Sequence, residues 1–318
     1  MVDREGGEPA RRRRTPADRG VHPPFGRGPF AARVLARVID AAAFVGCRIP
    51  ARLADALAVL GGHLEWALRP GLRRRLAANL GHVTGRGPRD RRTRRLVRRT
   101  VVAEAHRSAD LLWALGRPDA FVDRLEVHGL DHARRALAEG HGLLLVSAHI
   151  GGWELAAGLP RRLLGVRAGV VAADDWLAWA MEHARVAAGL DIVYRTEPVL
   201  GVARRLRHGG VLILLGDHGW GPEPRRHRVR FCDAEADLPA GPAALARLAG
   251  APLVGFAVVR VGSRRWRLIV DPPITVGTRE EEPTATQRLA DRWTELIAEY
   301  PDQWFARFPV PWVPRGSR

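Results

Sequence analysis

The sequence predicts an α/β protein: a two-layer or three-layer α/β sandwich with a mostly parallel sheet, preceded by N-terminal amphipathic helices. Three observations carry that expectation. From about residue 121 onward, short apolar runs alternate with helical stretches. Before that point, apolar residues recur every three or four positions, with charges on the remaining faces. The residues with chemical potential stand just past the ends of apolar runs, where open α/β sheets place their sites.

Taken in order, residues 1–29 are rich in Arg, Gly and Pro and read as a disordered basic tail, without a secretory or twin-arginine signal. Between Phe30 and Ile49, Arg33, Arg37 and Asp40 share one helical stripe, and Val34, Leu35, Val38, Ile39, Ala42 and Val45 fill the other side. Pro50 ends that helix. A second helix is predicted from Arg52 to Leu68, where Leu53, Leu57, Leu60, Leu64 and Leu68 repeat at helical spacing before Pro70. The apolar faces of these two helices either pack on a core or lie on a membrane. Between Arg86 and Arg107 nine arginines face only Asp90 and Glu104, on a helix predicted from about Arg91 to Leu115. Such a run is a solvated helix face or a contact for lipid phosphates. Residues 30–120 thus form a helical, membrane-associating region, continuous with an α/β catalytic region over 121–318.

In that second region, strands are expected at Leu125 to His128, Leu143 to Ser147, Val166 to Val171, Ile192 to Tyr194, Val211 to Leu215, Leu253 to Val259 and Arg265 to Val270. Helices are expected around Asp131 to Ala138, Glu154 to Leu164, Leu177 to Ala188, Leu200 to Arg207, Pro239 to Leu248 and Thr286 to Glu299. No internal repeat is visible, and no 18-residue stretch is both apolar and free of charge, so a spanning helix is not expected.

Composition narrows the function classes. With 46% hydrophobic residues the 318-residue chain can bury a full core. The net charge is +17 and all 51 basic residues are arginine, which favours anionic partners: a membrane face or nucleic acid. No helix-turn-helix, zinc-finger or RNP signature accompanies the charge, and it is spread over tail, helix and loop, so no nucleic-acid partner is expected. The two cysteines, Cys47 and Cys232, have no metal-ligand spacing and predict neither a disulfide framework nor a metal.

The chemistry concentrates in "LLLVSAHIGGWEL", residues 143 to 155. His149 follows a strand end, Gly151 and Gly152 allow a sharp turn, and Glu154 enters the next helical stretch. In one continuous helix the two side chains would stand about 140° apart, so only the loop lets them meet. A carboxylate beside an imidazole fixes its tautomer and raises its basicity, as a general base activating an alcohol requires. The helix amino end expected at Glu154 would offer N–H groups to a developing oxyanion. Ser147 lacks a G-x-S-x-G elbow and reads as a strand-end residue. Asp217, beside His218 in a Gly-rich loop after the strand Val211 to Leu215, lines the site, orients His149, or only shapes the turn. Gly241 begins a helix and is a candidate border of a substrate site; Trp176 and Trp179 are candidates for lining an apolar groove. Trp304, Phe305 and Trp312 are expected to cap the core.

Further blocks accompany the H-x4-E motif: "RRRLAANLGHV" at Arg73 to Val83, "GGVLILLGDHGWGP" at Gly209 to Pro222, "LPAGPAALARLAGAPLVGFAVVR" at Leu238 to Arg260 and "YPDQWFARFPVPW" at Tyr300 to Trp312. In this order they resemble the lipid A biosynthesis acyltransferases, and among them the actinobacterial phosphatidylinositol mannoside acyltransferases, over about Val34 to Trp312. The resemblance implies a glycerolipid acyltransferase-like fold and transfer of a fatty acyl group from acyl-CoA, the donor substrate, to a sugar hydroxyl of a glycolipid. No further cofactor is implied. It implies peripheral work at the cytoplasmic face of the cell membrane, against an anionic surface, with His149 as catalytic base and Glu154 as its paired acid. The sequence departs from that pattern at Ala172, Ala173 and Asp174, where the lipid A enzymes carry an arginine, which leaves open a non-glycolipid alcohol or amine as acceptor. Arg225, Arg226, Arg228 and Arg230 fill the loop after Asp217, with Glu223 the nearest carboxylate there to assist the histidine.

Overall fold

The structure, a computed structural model, describes residues 30–172, 181–187, 189–194, 197–218 and 225–314. The tail 1–29 and the candidates Trp176, Trp179 and Glu223 lie outside the described residues.

Among the described residues five helices come first: α1 (Phe30–Gly46), α2 (Ala51–Leu68), α3 (Pro70–Thr84), α4 (Arg91–Gly116) and α5 (Pro118–Val122). Pro70 opens α3, where a missing N–H costs nothing, and Gly85, at φ 65°, closes it. Asp90 caps α4 by accepting a hydrogen bond from the Arg92 N–H at 2.7 Å. Helices α1, α2 and α3 all pack on α4. Where α2 crosses α4, a Cβ on Gly62 would stand 2.7 Å from the Val102 Cα, so glycine sets the close approach. The inner side of α2 therefore carries Ala58 and Gly62, while the leucine repeat faces outward, with Leu60 66% and Leu68 70% exposed. Of the two readings of that apolar stripe, packing on the core is excluded for these leucines. No helix among the described residues is long and apolar enough to cross a membrane.

The rest alternates strands and helices: β1 (Leu125–His128), α6 (Leu130–Ala138), β2 (Leu143–Ser147), β3 (Ala168–Ala172), α7 (Glu182–Ala187), β4 (Leu190–Tyr194), α8 (Val199–Arg207) and β5 (Val211–Leu215). A hairpin, β6 (Arg226–Phe231) and β7 (Ala234–Pro239), precedes α9 (Gly241–Ala249), β8 (Leu253–Gly262), β9 (Arg265–Ile274) and α10 (Glu282–Glu299). Among the described residues seven strands form one sheet in the order β1-β9-β8-β2-β5-β3-β4, parallel at every pairing except β8 with β9. Both faces of the central strand β2 are covered. Leu144 and Val146 join a core with Leu206 of α8, Ala243 of α9 and Trp293 of α10; Leu143 and Leu145 join another with Trp113 of α4 and Ala133 of α6. The architecture is thus the three-layer form of the expected sandwich.

Two local expectations are corrected. Glu154 to Leu164 is not an α-helix: a 3-10 turn at Leu155–Gly158 runs into a π turn at Pro160–Leu164, where Pro160 has no N–H to continue an α ladder. The basic stretch after Asp217 contains strand β6, whose arginines 226, 228 and 230 point outward while Val229 and Phe231 are buried. That is the period-two pattern of a half-buried strand, written in arginine instead of neutral polar residues.

Candidate active site

Strands β2 and β5 are parallel neighbours with Ser147 opposite Leu215. Two residues further along, the same register brings His149 opposite Asp217. The His149 Nδ1–H donates to Asp217 Oδ1 at 2.6 Å, and the Trp304 Nε1–H donates to Asp217 Oδ2 at 3.0 Å. All three side chains belong to buried residues: His149 is 7% exposed, Asp217 2% and Trp304 1%. The segment carrying Trp304 is held beside His149 by the Phe305 N–H, which donates to the His149 carbonyl at 2.7 Å.

Burial alone would raise the Asp217 carboxyl, but the adjacent His149 and the hydrogen bonds from His149 and Trp304 hold it below the usual carboxylate range. An ionised carboxylate only accepts, so the proton stays on His149 Nδ1 and the lone pair on Nε2. Aromatic rings surround the imidazole: Trp153 with its centroid at 5.1 Å, Phe308 at 5.0 Å and Phe305 at 6.4 Å. His218 stacks on Phe308 at 4.6 Å and stands edge-on to His149 at 6.4 Å, and burial lowers its pKa. The result is an imidazole oriented from behind by Asp217 and flanked by aromatic rings.

Glu154 does not meet His149. It forms an ion pair with Arg107 of α4, whose guanidinium lies over the rings of Trp153, at 4.3 Å, and Phe305, at 5.0 Å. The expected pairing is therefore corrected: the carboxylate that holds the imidazole is Asp217, reached through strand register. The helix amino end expected at Glu154 to supply oxyanion donors is corrected as well: only a 3-10 turn starts there, the Leu155 N–H donates to the Gly152 carbonyl at 2.9 Å, and the Gly151 and Gly152 N–H groups donate to the Gln303 and Val258 carbonyls at 2.8 and 2.7 Å. These glycines serve close packing. At Gly151, with φ 60°, a Cβ would lie 2.0 Å from the Val258 oxygen, so no other residue fits against β8.

Ser147 is wholly buried and its hydroxyl donates to the Ala148 carbonyl at 2.9 Å, as a strand-end residue would. The Cys232 thiol is pushed up to about 12 by burial, which leaves it unreactive. Gly241 opens α9 at the surface, with nothing within 4 Å of where a Cβ would lie. Among the described residues, no group of three or more His, Cys, Asp and Glu is disposed to hold a metal ion. Trp304, Phe308 and Arg107 join the site without having been singled out for it; the signal for the first two was the aromatic block near the carboxyl end.

The chain is 28% identical over 288 residues to a phosphatidylinositol mannoside acyltransferase of Mycolicibacterium smegmatis, covering 87% of this chain and 92% of that one. A lipid A biosynthesis lauroyltransferase of Escherichia coli is 30% identical over 163 residues, 49% of this chain and 52% of its own. A phosphatidylinositol mannoside acyltransferase of Mycobacterium tuberculosis is 29% identical over 192 residues, 58% of either chain. Residues 38–307, most of the protein, match the family described as bacterial lipid A biosynthesis acyltransferase. The chain is accordingly an acyltransferase, and it belongs to the bacterial lipid A biosynthesis acyltransferase family.

Proposed function

We propose that the protein transfers a fatty acyl group from acyl-CoA to a hydroxyl of a glycolipid, such as a phosphatidylinositol mannoside, at the cytoplasmic face of the cell membrane. One observation carries the reading: the buried chain from Trp304 through Asp217 to His149, which leaves Nε2 as the base. That nitrogen takes the proton of the acceptor hydroxyl as its oxygen attacks the thioester carbonyl carbon. The tetrahedral intermediate collapses with cleavage of the C–S bond, and the imidazolium returns its proton to the departing thiolate. Asp217 stabilises the imidazolium in between. No acyl-enzyme is required, in keeping with the buried, engaged Ser147 hydroxyl and the suppressed Cys232 thiol.

The glycolipid acceptor is suggested by the relatives that act on phosphatidylinositol mannosides. Membrane attachment is supported by the outward leucines of α2 and by Phe30, Val38 and Phe44, exposed on α1. The decisive experiment incubates purified protein with labelled acyl-CoA and a total lipid extract of its host and identifies the labelled product. A labelled glycolipid is expected from the wild type. His149→Ala should be folded by circular dichroism and slower by roughly 10²- to 10⁴-fold. A folded His149→Ala protein with wild-type turnover would sink the mechanism, and label in a phosphatidic acid or a protein would replace the acceptor.

A further inference from the structure

Residues 303–312 carry three side chains that orient or flank the base, Trp304, Phe305 and Phe308, yet they form neither helix nor strand. Among the described residues, their β pairing is limited to two isolated bridges, Ile150 with Trp304 and Ala236 with Trp312. A largely buried stretch without a ladder must find hydrogen bonds in side chains, and those side chains then fix where it runs.

The block "RRRLAANLGHV" on α3 supplies no part of the His149–Asp217–Trp304 chain, but it supplies these bonds. Asn79 is 5% exposed; its Nδ2 donates to the Ala306 carbonyl at 2.8 Å and to the Phe308 carbonyl at 2.7 Å, and its Oδ1 accepts from the Trp312 Nε1–H at 2.9 Å. Two acceptors on one side and a donor on the other admit a single orientation of the amide. On the same helix Leu76 and Leu80 are wholly buried in one core with Trp304 and Ala306, and His82 stacks on Trp312 at 4.2 Å.

From Asn79 the hydrogen bonds run unbroken to the base. The wholly buried Ala306 accepts from Asn79, and its own N–H donates to the Trp304 carbonyl at 2.8 Å. The Trp304 indole donates to Asp217, which orients His149. Arg307 also ties this stretch to the helices, through Glu65 of α2 and Glu104 of α4. That grips a long, rotatable side chain, whereas Asn79 grips the backbone on either side of it.

We infer that Asn79 is a positioning residue for acyl transfer: it seats the backbone of residues 304–308 so that the Trp304 indole meets Asp217. The inference rests on the reading of His149 as base and adds what sets the far end of its hydrogen-bonded chain.

NMR of protein carrying isotope-labelled tryptophan reads this seat apart from catalysis, with the Trp304 indole signal identified by its absence from Trp304→Phe. In Asn79→Ser the Trp304 and Trp312 indole N–H signals should shift and exchange faster with solvent. Those of Trp113 and Trp266, stacked in the other core, should stay in place. A general loosening would move all four and overturn the inference. With a labelled long-chain acyl-CoA and a detergent-dispersed host lipid extract, kcat should fall about tenfold and the acceptor KM stay unchanged. In a Trp304→Phe background the same substitution should add less than about threefold, because both act on one link; losses that multiply overturn the inference. Trp312→Phe keeps the ring and frees the amide to turn, so it tests the link even where Asn79→Ser fails to fold: the Trp304 signal should shift and kcat fall about threefold. A stationary Trp304 signal or an unchanged kcat in whichever variant folds overturns the inference. Wild-type turnover by a folded His149→Ala protein removes the base and the inference with it, wherever the Trp304 signal lies. An inactive His149→Ala beside a stationary Trp304 signal overturns the inference alone.

Discussion

Asp217 decides which nitrogen of His149 is basic, and Trp304 decides where Asp217 points. In Asp217→Asn the amide can present an N–H to Nδ1 and stabilise the wrong tautomer, so kcat should fall by about 10³- to 10⁴-fold with the fold intact. Trp304→Phe removes one donor to Oδ2. As a positioning residue it should lower kcat about tenfold and leave the acceptor KM unchanged, a split that steady-state kinetics with varied acceptor resolves. Glu154→Gln frees Arg107 instead of the base, so its loss of kcat should be smaller than that of Asp217→Asn; an equal loss would restore Glu154 to the proton path. His149 was legible in the sequence because a buried strand that stops at His-Ile-Gly-Gly has few other uses. Its acid was named only as one option, because sequence nearness favours Glu154, five positions on. The partner that the sheet supplies lies 68 positions away, and only strand register brings it close.

At the level of elements, α2 and α4 are joined by charge as much as by shape. Arg260 of β8 bridges Asp55 of α2 and Asp110 of α4, and Arg307 bridges Glu65 and Glu104 on the same two helices. Burial pushes the Asp110 carboxyl up to about 6, in spite of Arg260 and Trp266. A carboxyl whose folded pKa exceeds its unfolded value, near 3.9, holds its proton more tightly when folded. Between about pH 4 and pH 6 this group should therefore lower stability as pH rises, by a total of roughly 3 kcal/mol. Urea titrations of wild type and Asp110→Asn across that window should show the decline flattened in the variant; parallel curves would mean that Asp110 titrates normally. Gly62→Val would drive a side chain into the backbone of Val102 and should cost a few kcal/mol or displace α2, seen as a lower thermal midpoint. Most strands and the helices α1, α2, α4 and α10 were legible from periodicity, whereas α3, rich in arginine and short of a clean apolar stripe, was not. The direction of the α2 leucines was not, since spacing defines a stripe without saying what it faces, and Ala58 and Gly62 are too small to announce an interface. The hairpin β6–β7 escaped because three exposed arginines on one strand read as a loop.

For the molecule as a whole, the open issue is what covers the leucines that α2 turns outward. Leu53, Leu57, Leu60, Leu64 and Leu68 are all exposed, and Arg91, Arg92, Arg94, Arg95, Arg98 and Arg99 are exposed along α4. The two sets imply different physics. Each leucine buried in acyl chains contributes about 1.5–3 kcal/mol, independent of salt. Each arginine near an anionic surface contributes about 1 kcal/mol, and that attraction fades as the screening length shrinks to about 3 Å near 1 M salt. Three leucines thus match or exceed four or five arginines, and the apolar face should be the anchor while the arginines choose the lipid. In a flotation assay the wild type should rise with neutral vesicles and more completely with anionic ones, the difference vanishing at high salt. The triple variant Leu57→Ser, Leu60→Ser, Leu64→Ser should lose flotation with neutral vesicles and keep only a salt-sensitive remainder with anionic ones. Replacing the six arginines by glutamine should do the opposite, leaving flotation that no longer depends on lipid charge. Neither set lines the His149–Asp217–Trp304 chain, so the triple-serine variant should still acylate a detergent-dispersed acceptor. If it floats as well as the wild type with neutral vesicles, the leucines of α2 are not the anchor and the attachment must lie elsewhere in the chain.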